Sequence, residues 1–228
     1  ASAGADQQGF TGAQVTLNGS GSSDPNGRTL TYAWTQTSGP TVGLVGANNA
    51  KPTFTPAAAG SYVFSLTVSN GSLSATASTT VTVSQAPPTP TNIARQASAT
   101  ASSQNTTTGQ TAAKAIDGVA QGYPTDSSKE WATSGGKAGS WIQLTWSGPQ
   151  SMSKVVLYDR PNSSDQITGA TLTFSDGSSV AVGSLNNSGS ATTVSFPART
   201  ATWVKLTTTT VSSATANVGL AEFEVWTG

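Results

Sequence analysis

Carboxylates are the first residues to consider as catalysts, and this sequence has ten of them. It has neither His nor Cys, which removes a Ser-His-Asp triad, a thiol nucleophile and the usual zinc ligands. Hydrolysis of a glycosidic bond requires two carboxyls facing that bond. Asp159 and Asp165 form the one pair that a single loop could bring together, and Arg160 between them favours an ion-paired loop. We therefore expect a non-catalytic protein.

Planar hydrogen-bonding side chains are concentrated in residues 158–166, in a chain otherwise rich in hydroxyls. Sugars are bound by such groups together with an apolar face, and Pro161 would stiffen the loop and reduce the cost of ordering it. This segment predicts a recognition loop. The alternative is that Asp159 and Arg160 form an internal pair that holds the loop. The candidate sugar contacts are Asp159, Arg160, Asn162, Asp165 and Gln166.

The overall charge excludes several classes of partner. Charged residues make up 9% of the chain and the net charge is zero, which argues against nucleic acid and against an anionic membrane surface. No apolar run approaches the roughly 20 residues of a membrane span. Low charge with many Thr and Gly is typical of secreted bacterial β-proteins. We expect a monomeric extracellular protein whose partner is a polysaccharide or oligosaccharide.

A proline-rich segment divides the chain. Residues 85–91 contain three prolines within four positions, which favours extended, semi-rigid geometry over a sheet. The predicted organisation is a domain at 1–84, a linker at 85–91 and a domain at 92–228. Because the sequence begins at Ala1 in the middle of a pattern, we expect it to be part of a longer protein.

The first domain alternates polar and apolar residues throughout, which predicts short antiparallel strands. Asn70-Gly71 between two such runs favours a tight hairpin. The motifs at 19–27, 30–34 and 60–68 closely resemble the PKD family. That resemblance implies an immunoglobulin-like sandwich with Trp34 in its core and a role as a spacer.

The second domain is also predicted to be β, with one short helical turn at 111–116. Its ordered landmarks resemble the discoidin-like family, also called F5/8 type C, which includes many galactose-binding-like carbohydrate-binding modules. The resemblance implies a jelly roll of eight strands with ligand loops at one end, making the whole chain all-β. The landmarks are Asn92-Ile93-Ala94, residues 97–103, Ala115-Ile116-Asp117-Gly118, Glu130-Trp131-Ala132-Thr133, residues 140–144, residues 202–206 and residues 220–225.

The discoidin-like resemblance also implies a structural calcium ion. In such modules the loop after Ala-Ile-Asp-Gly wraps calcium, and the matching positions here are Asp117, Glu222 and Ser128. Calcium takes six to eight oxygen ligands, which this composition can supply. Alternatively, Asp117 caps the turn at Gly118 and Glu222 pairs with a nearby Lys.

Two further loop residues are candidate sugar contacts. In the jelly roll the loop holding Asn217 can lie beside the ligand end, although Asn is also a common turn residue. Tyr123 is the aromatic residue most expected to be exposed on a loop, where its ring could stack on a sugar; the alternative is a packed loop anchor. We interpret Trp131, Trp141, Trp203 and Trp226 as core residues because they lie on or beside alternating strands.

Together these features predict a non-catalytic, carbohydrate-binding region of a larger secreted enzyme that degrades polysaccharide. Its catalytic domain would lie elsewhere in the same polypeptide. The competing hypothesis is a structural or adhesive extracellular spacer that binds no sugar.

Overall fold

The computed structural model describes residues 1–162 and 164–228, so residue 163 of the predicted recognition loop lies outside the described residues. The chain forms two compact units, Ala1–Pro88 and Thr89–Gly228. The strands are β1 (Gln7–Phe10), β2 (Val15–Thr16), β3 (Thr31–Ser38), β4 (Thr53–Phe54), β5 (Gly60–Ser69), β6 (Ser74–Ser84), β7 (Ser98–Ala101), β8 (Trp131–Ala132), β9 (Trp141–Asp159), β10 (Ile167–Phe174), β11 (Ser179–Val182), β12 (Thr192–Val211) and β13 (Gly219–Trp226). Short 3-10 helices span Ala94–Gln96, Ala112–Ile116 and Ser127–Lys129. The prediction of an all-β fold is confirmed.

The first unit is built on a four-stranded sheet in the order β1-β6-β5-β3, with β2 and β4 paired separately. Alternation in β5 directs Tyr62, Phe64 and Leu66 into the core and the intervening residues outward. Trp34 is buried with them, as predicted. The Phe54 ring lies 4.8 Å from the ring of Phe64. This core of aromatic and aliphatic side chains holds the unit together.

The second unit is a jelly roll in which two long strands run through both layers. The first half of β9 pairs with β7 and with the second half of β12. The second half of β9 pairs with β13 and with the first half of β12. The described residues therefore form seven strands, in the order β11-β10-β12-β9-β13-β8 with β7 beside β9. Within the same residues, no helix is both long and apolar enough to cross a membrane.

The tryptophans of the second unit divide between its core and its surface. Trp131 is buried, as predicted, and so is Trp146. The prediction of a core position is wrong for Trp141, Trp203 and Trp226, which are partly exposed. Their strand neighbours fill the core instead, because alternate residues of a strand face opposite sides of a sheet.

Tyr62 provides a test of how the first unit is anchored. Its hydroxyl donates a hydrogen bond to the carbonyl of Ala58 at 2.7 Å. We expect Tyr62→Phe to lower the free energy of unfolding by about 1 kcal/mol, since one intramolecular hydrogen bond is lost. Calorimetry and chemical denaturation of the full chain would measure the change. Tyr32→Phe is the control, because that partly exposed side chain makes no hydroxyl bond to the described part of the chain. An equal effect of both substitutions would contradict this account.

Candidate functional site

A buried guanidinium lies at the loop end of the jelly roll between two carboxylates. Arg160 Nε donates to Glu130 Oε1 at 2.7 Å, and Arg160 Nη1 donates to Asp165 Oδ2 at 3.0 Å. All three side chains are buried. Ion pairs out of water are short and strong when their remaining atoms are also hydrogen-bonded. Arg160 therefore ties the loop before β8 to the loop after β9.

The other oxygens of these carboxylates bind neighbouring loops. Glu130 Oε2 accepts the main-chain N–H of Tyr123 at 2.9 Å. Asp165 Oδ1 accepts the N–H groups of Ala216 and Asn217 at 2.6 and 3.2 Å. The Arg160 network, defined as Glu130, Arg160 and Asp165, thus fixes three loops that are distant in sequence.

Asp159 lies beside this network and has a purely internal role. Its carboxylate accepts the N–H of Arg160 at 2.9 Å and the N–H of Ile167 at 3.0 Å. Burial raises the pKa of the Asp159 carboxyl to about 7, against the lowering effect of those two hydrogen bonds. Asp159 thereby joins the end of β9 to the start of β10.

Two glycines allow the network to close. A side chain on Gly122 would collide with the carboxylate of Glu130, and one on Gly219 would collide with Arg160 and with the carbonyl of Trp131. Neither position has room for a Cβ atom without displacing its neighbours. These glycines are therefore part of the site even though they contribute no functional group.

The structure separates the predicted sugar contacts into internal and accessible residues. Asp159, Arg160 and Asp165 are buried and bonded within the protein. This placement favours an internal role over direct contact with a ligand. The Arg160 guanidinium pairs with Glu130 and Asp165, however, and Asp159 accepts the main-chain N–H of Arg160 instead of pairing with its charge. Gln166 is half-buried, and its amide donates to the carbonyl of Leu185 at 3.0 Å.

Three of the predicted residues keep exposed surface next to the network. Tyr123 is 43% exposed. Asn162 is half-buried, and its amide nitrogen donates to Asp165 Oδ2 at 3.1 Å. Asn217 is also half-buried, and its side-chain oxygen accepts the N–H of Gly135 at 2.8 Å. The buried charges thus bind the side chain of Asn162 and the main chain of Tyr123 and Asn217, so the loops that carry one aromatic ring and two amides share one set of anchors.

Sequence reasoning did not assign a functional role to Glu130 or to Gln110. Gln110 Nε2 donates to Glu130 Oε1 at 2.8 Å, which completes the bonding of that buried carboxylate. The available signal for Glu130 was an acidic residue immediately before a tryptophan at the start of a predicted strand. That pattern indicates a buried charge, but it does not identify the partner.

The predicted metal ligands are partly brought together. The buried Glu222 carboxylate accepts only long bonds from one described donor, the N–H of Gly118, at 3.2 and 3.3 Å. Burial, together with the nearby carboxylates of Asp117 and Glu224, raises the pKa of Glu222 to about 8. Asp117 lies 3.6 Å from Lys114 Nζ. A poorly satisfied buried carboxylate beside a second one fits the chemistry of a calcium site.

Ser128 is not brought to Asp117 and Glu222 by any described hydrogen bond. Its hydroxyl donates to Asp126 Oδ1 at 2.6 Å, as part of the cap on the 3-10 helix Ser127–Lys129. Within residues 1–162 and 164–228, no three acidic side chains converge on one point. Backbone carbonyls would therefore have to supply most of the ligands of an ion there.

The second unit matches a known family over almost its whole length. The profile described as a domain of unknown function (DUF7402) matches residues 92–226. The chain belongs to this family. A second profile, described as K319L-like, PKD domain, matches residues 3–83, so the DUF7402 domain is preceded by a PKD-like domain. A comparison with curated proteins finds no match.

Solved structures resembling the DUF7402 domain include carbohydrate-binding modules of the discoidin-like type. The lectin domain of lectinolysin complexed with Lewis B antigen is 23% identical, with a TM-score of 0.50 over 60% of this chain and 97% of that one. A fucose binding module of Streptococcus pneumoniae is 20% identical, with a TM-score of 0.50 over 63% and 99%. At these identities the likeness establishes the jelly-roll fold, as predicted.

The Arg160 network can be tested by removing its central cation. Arg160→Met keeps a long apolar stem but leaves Glu130 and Asp165 as buried carboxylates without their shared partner. We expect the free energy of unfolding to fall by about 3–5 kcal/mol, the usual cost of removing one member of a buried ion pair. Denaturant unfolding of the full chain at pH 7 would measure this loss.

The control for Arg160→Met is Lys114→Met, which breaks the more exposed pair with Asp117. That change should cost about 0–1 kcal/mol, because solvent screens exposed ion pairs. A similar loss in both variants would show that the network does not stabilise the loops as described.

Proposed function

We propose that residues 92–228 bind carbohydrate and form the non-catalytic targeting region of a larger secreted, polysaccharide-active enzyme. The PKD-like domain serves as its spacer. The observation that carries this proposal is the bonding of Tyr123, Asn162 and Asn217 to one buried network. An exposed ring offers an apolar surface to a sugar, and fixed amides offer donors and acceptors to its hydroxyls.

The Arg160 network orders the loops of this site before a ligand binds. Loops that are already fixed lose little conformational entropy on binding, which favours a shallow but specific site. In this proposal Asp159, Arg160 and Asp165 are positioning residues that hold the contact residues in place. The neutral net charge matches a neutral, hydroxylated ligand at the loop end. Extracellular location and the attached catalytic domain are further parts of the proposal.

A sugar-free spacer remains the second candidate function. It is favoured by the burial of three of the predicted contact residues, Asp159, Arg160 and Asp165. The first candidate function predicts that the loop end binds sugar and the second predicts that it does not, so one binding experiment distinguishes them.

Sugar binding is tested by glycan-array screening of the full chain, followed by calorimetric titration of the best ligand. We expect Tyr123→Ala to weaken that binding by about tenfold, as for other stacked aromatic contacts. Phe10→Ala is the matched control, because it removes a ring that is 49% exposed in the other domain. Absence of binding across plant, fungal, animal and bacterial glycans would favour the spacer.

We also propose that calcium binds between Asp117 and Glu222 and joins the loop after Ile116 to β13. When bound, the ion would supply positive charge to these two carboxylates and stabilise the loop. The support for this proposal is the poorly satisfied, buried carboxylate of Glu222, whose pKa is raised to about 8.

The calcium proposal predicts a pH-dependent stability. Since the pKa of Glu222 is raised by folding, its contribution to stability in calcium-free chain is present below about pH 4.5 and is lost as the pH rises through about 8. Calcium should therefore raise the melting temperature more at pH 8 than at pH 5. Glu222→Gln should melt higher than wild type in chelator at pH 8 and should lose the calcium response.

Asp126→Asn is the control for the calcium prediction, because Asp126 is an exposed carboxylate of the same loop. This variant should respond to calcium like wild type. Equal melting shifts in wild type and Glu222→Gln, or no shift in either, would contradict a site at Glu222.

A further inference from the structure

The outer face of one jelly-roll layer carries two tryptophans that the core does not use. In the first half of β9, Trp141, Gln143 and Thr145 alternate with the buried Ile142 and Leu144. Trp141 and Gln143 are partly exposed and Thr145 is exposed. Alternate residues of a strand point to opposite faces, so these three side chains lie on the outside of the layer.

The neighbouring strand β12 continues the same face. Trp203, Lys205 and Thr207 pair with Thr145, Gln143 and Trp141 respectively. Further outward residues on the flanking strands are all hydroxyl-bearing: Ser98, Thr100, Thr171 and Thr173. We call this surface the Trp141–Trp203 face.

Lys205 lies between the two indole rings. Its Nζ atom is 5.9 Å from the ring centroid of Trp141 and 5.9 Å from that of Trp203. The registered pairs place the backbones of the two tryptophans four residues apart along the strands, about 14 Å at the usual rise per residue. The two ring centroids are closer, no more than about 12 Å apart, because each lies 5.9 Å from the same Nζ atom. A ligand that touches both rings must therefore be extended, like several linked sugar units.

Charge on this face has one sign. No carboxylate among the described residues lies within ion-pair distance of Lys205. Its registered and flanking neighbours are hydroxyls, one amide and two indoles. An occupant with negative charge would therefore find a complementary cation that is not ion-paired with any acidic side chain in the part of the chain that the structure describes.

We propose that the Trp141–Trp203 face binds an extended acidic polysaccharide, with sugar rings on the two indoles and a carboxylate at Lys205. This surface is distinct from the proposed loop site at Tyr123. It adjoins that site at one end, because the N–H of Gly135, in the loop before β9, is bonded to Asn217. Trp203 lies at the far end of the face. A polymer needs a long binding surface. The outer face of an antiparallel sheet provides one, whereas a single loop does not.

The test is affinity electrophoresis of the full chain in gels containing polygalacturonate, a polymer of carboxylated sugars. Gels with the fully methyl-esterified polymer provide the matched ligand, since the backbone is the same and the charge is removed. We expect retardation by polygalacturonate, weaker retardation by the ester, and a further decrease as salt screens the charge.

Two variants, one control and one probe of the loop site locate the binding. Lys205→Gln removes the charge but keeps a polar side chain, and it should remove the preference for the charged polymer. Trp203→Ala should weaken retardation by about tenfold. Lys154→Gln is the matched control, because Lys154 also lies over an indole, 4.6 Å from the Trp226 ring. Lys154→Gln should behave like wild type. Tyr123→Ala reports separately on the proposed loop site, so a loss confined to that variant would place the binding there.

Several outcomes would overturn the proposal. They are the absence of retardation, equal retardation by the ester, equal losses in Lys205→Gln and Lys154→Gln, or a loss confined to Tyr123→Ala. Lys205→Gln keeps the test valid if Trp203→Ala fails to fold, and thermal unfolding of each variant would reveal such a failure.

Discussion

The pairing of Arg160 with Glu130 and Asp165 is the interaction on which the loop end depends. Burying a guanidinium is costly unless its charge is matched and its donors are used. Here two carboxylates match it, and their remaining oxygens accept three main-chain N–H groups from two loops. The cost of desolvation is thus offset by bonds that also decide where those loops lie. The sheets of the jelly roll fix the ends of the strands. The Arg160 network fixes the loops that connect those ends.

This arrangement changes what the polar residues of 158–166 can do. A dense set of planar donors and acceptors has two uses, to face a ligand or to face one another. The second use dominates for Asp159, Arg160 and Asp165, since every distance among them and their partners is that of a good internal hydrogen bond. Ligand contact then passes to the residues at the edge of the network, where amides and a ring keep exposed surface.

Most of the fold could be predicted from alternation, because a buried strand face leaves a period of two in the sequence. The same rule limits what can be predicted about single residues. Trp131 and Trp141 both begin strands, yet one is buried and the other faces outward, because the difference depends on the register with β12 and β13. Likewise, Glu130 and Arg160 are thirty residues apart, and no local sequence pattern predicts that they are in contact. Asp117 and Glu222 were predicted as a pair only through family resemblance.

Because the chain has few charged residues, the surface outside the loop end consists mainly of hydroxyls and amides. The chain has ten acidic and ten basic residues, and several acids are used internally: Asp159, Asp165 and Glu130 around Arg160, and Glu222 against Gly118. Surfaces made mainly of hydroxyls and amides interact with water and with sugars by the same kinds of hydrogen bond. On such a background a single cation between two indoles is a strong local feature. Among residues 1–162 and 164–228 no carboxylate forms an ion pair with Lys205, so this one charge can select among ligands that are otherwise chemically alike.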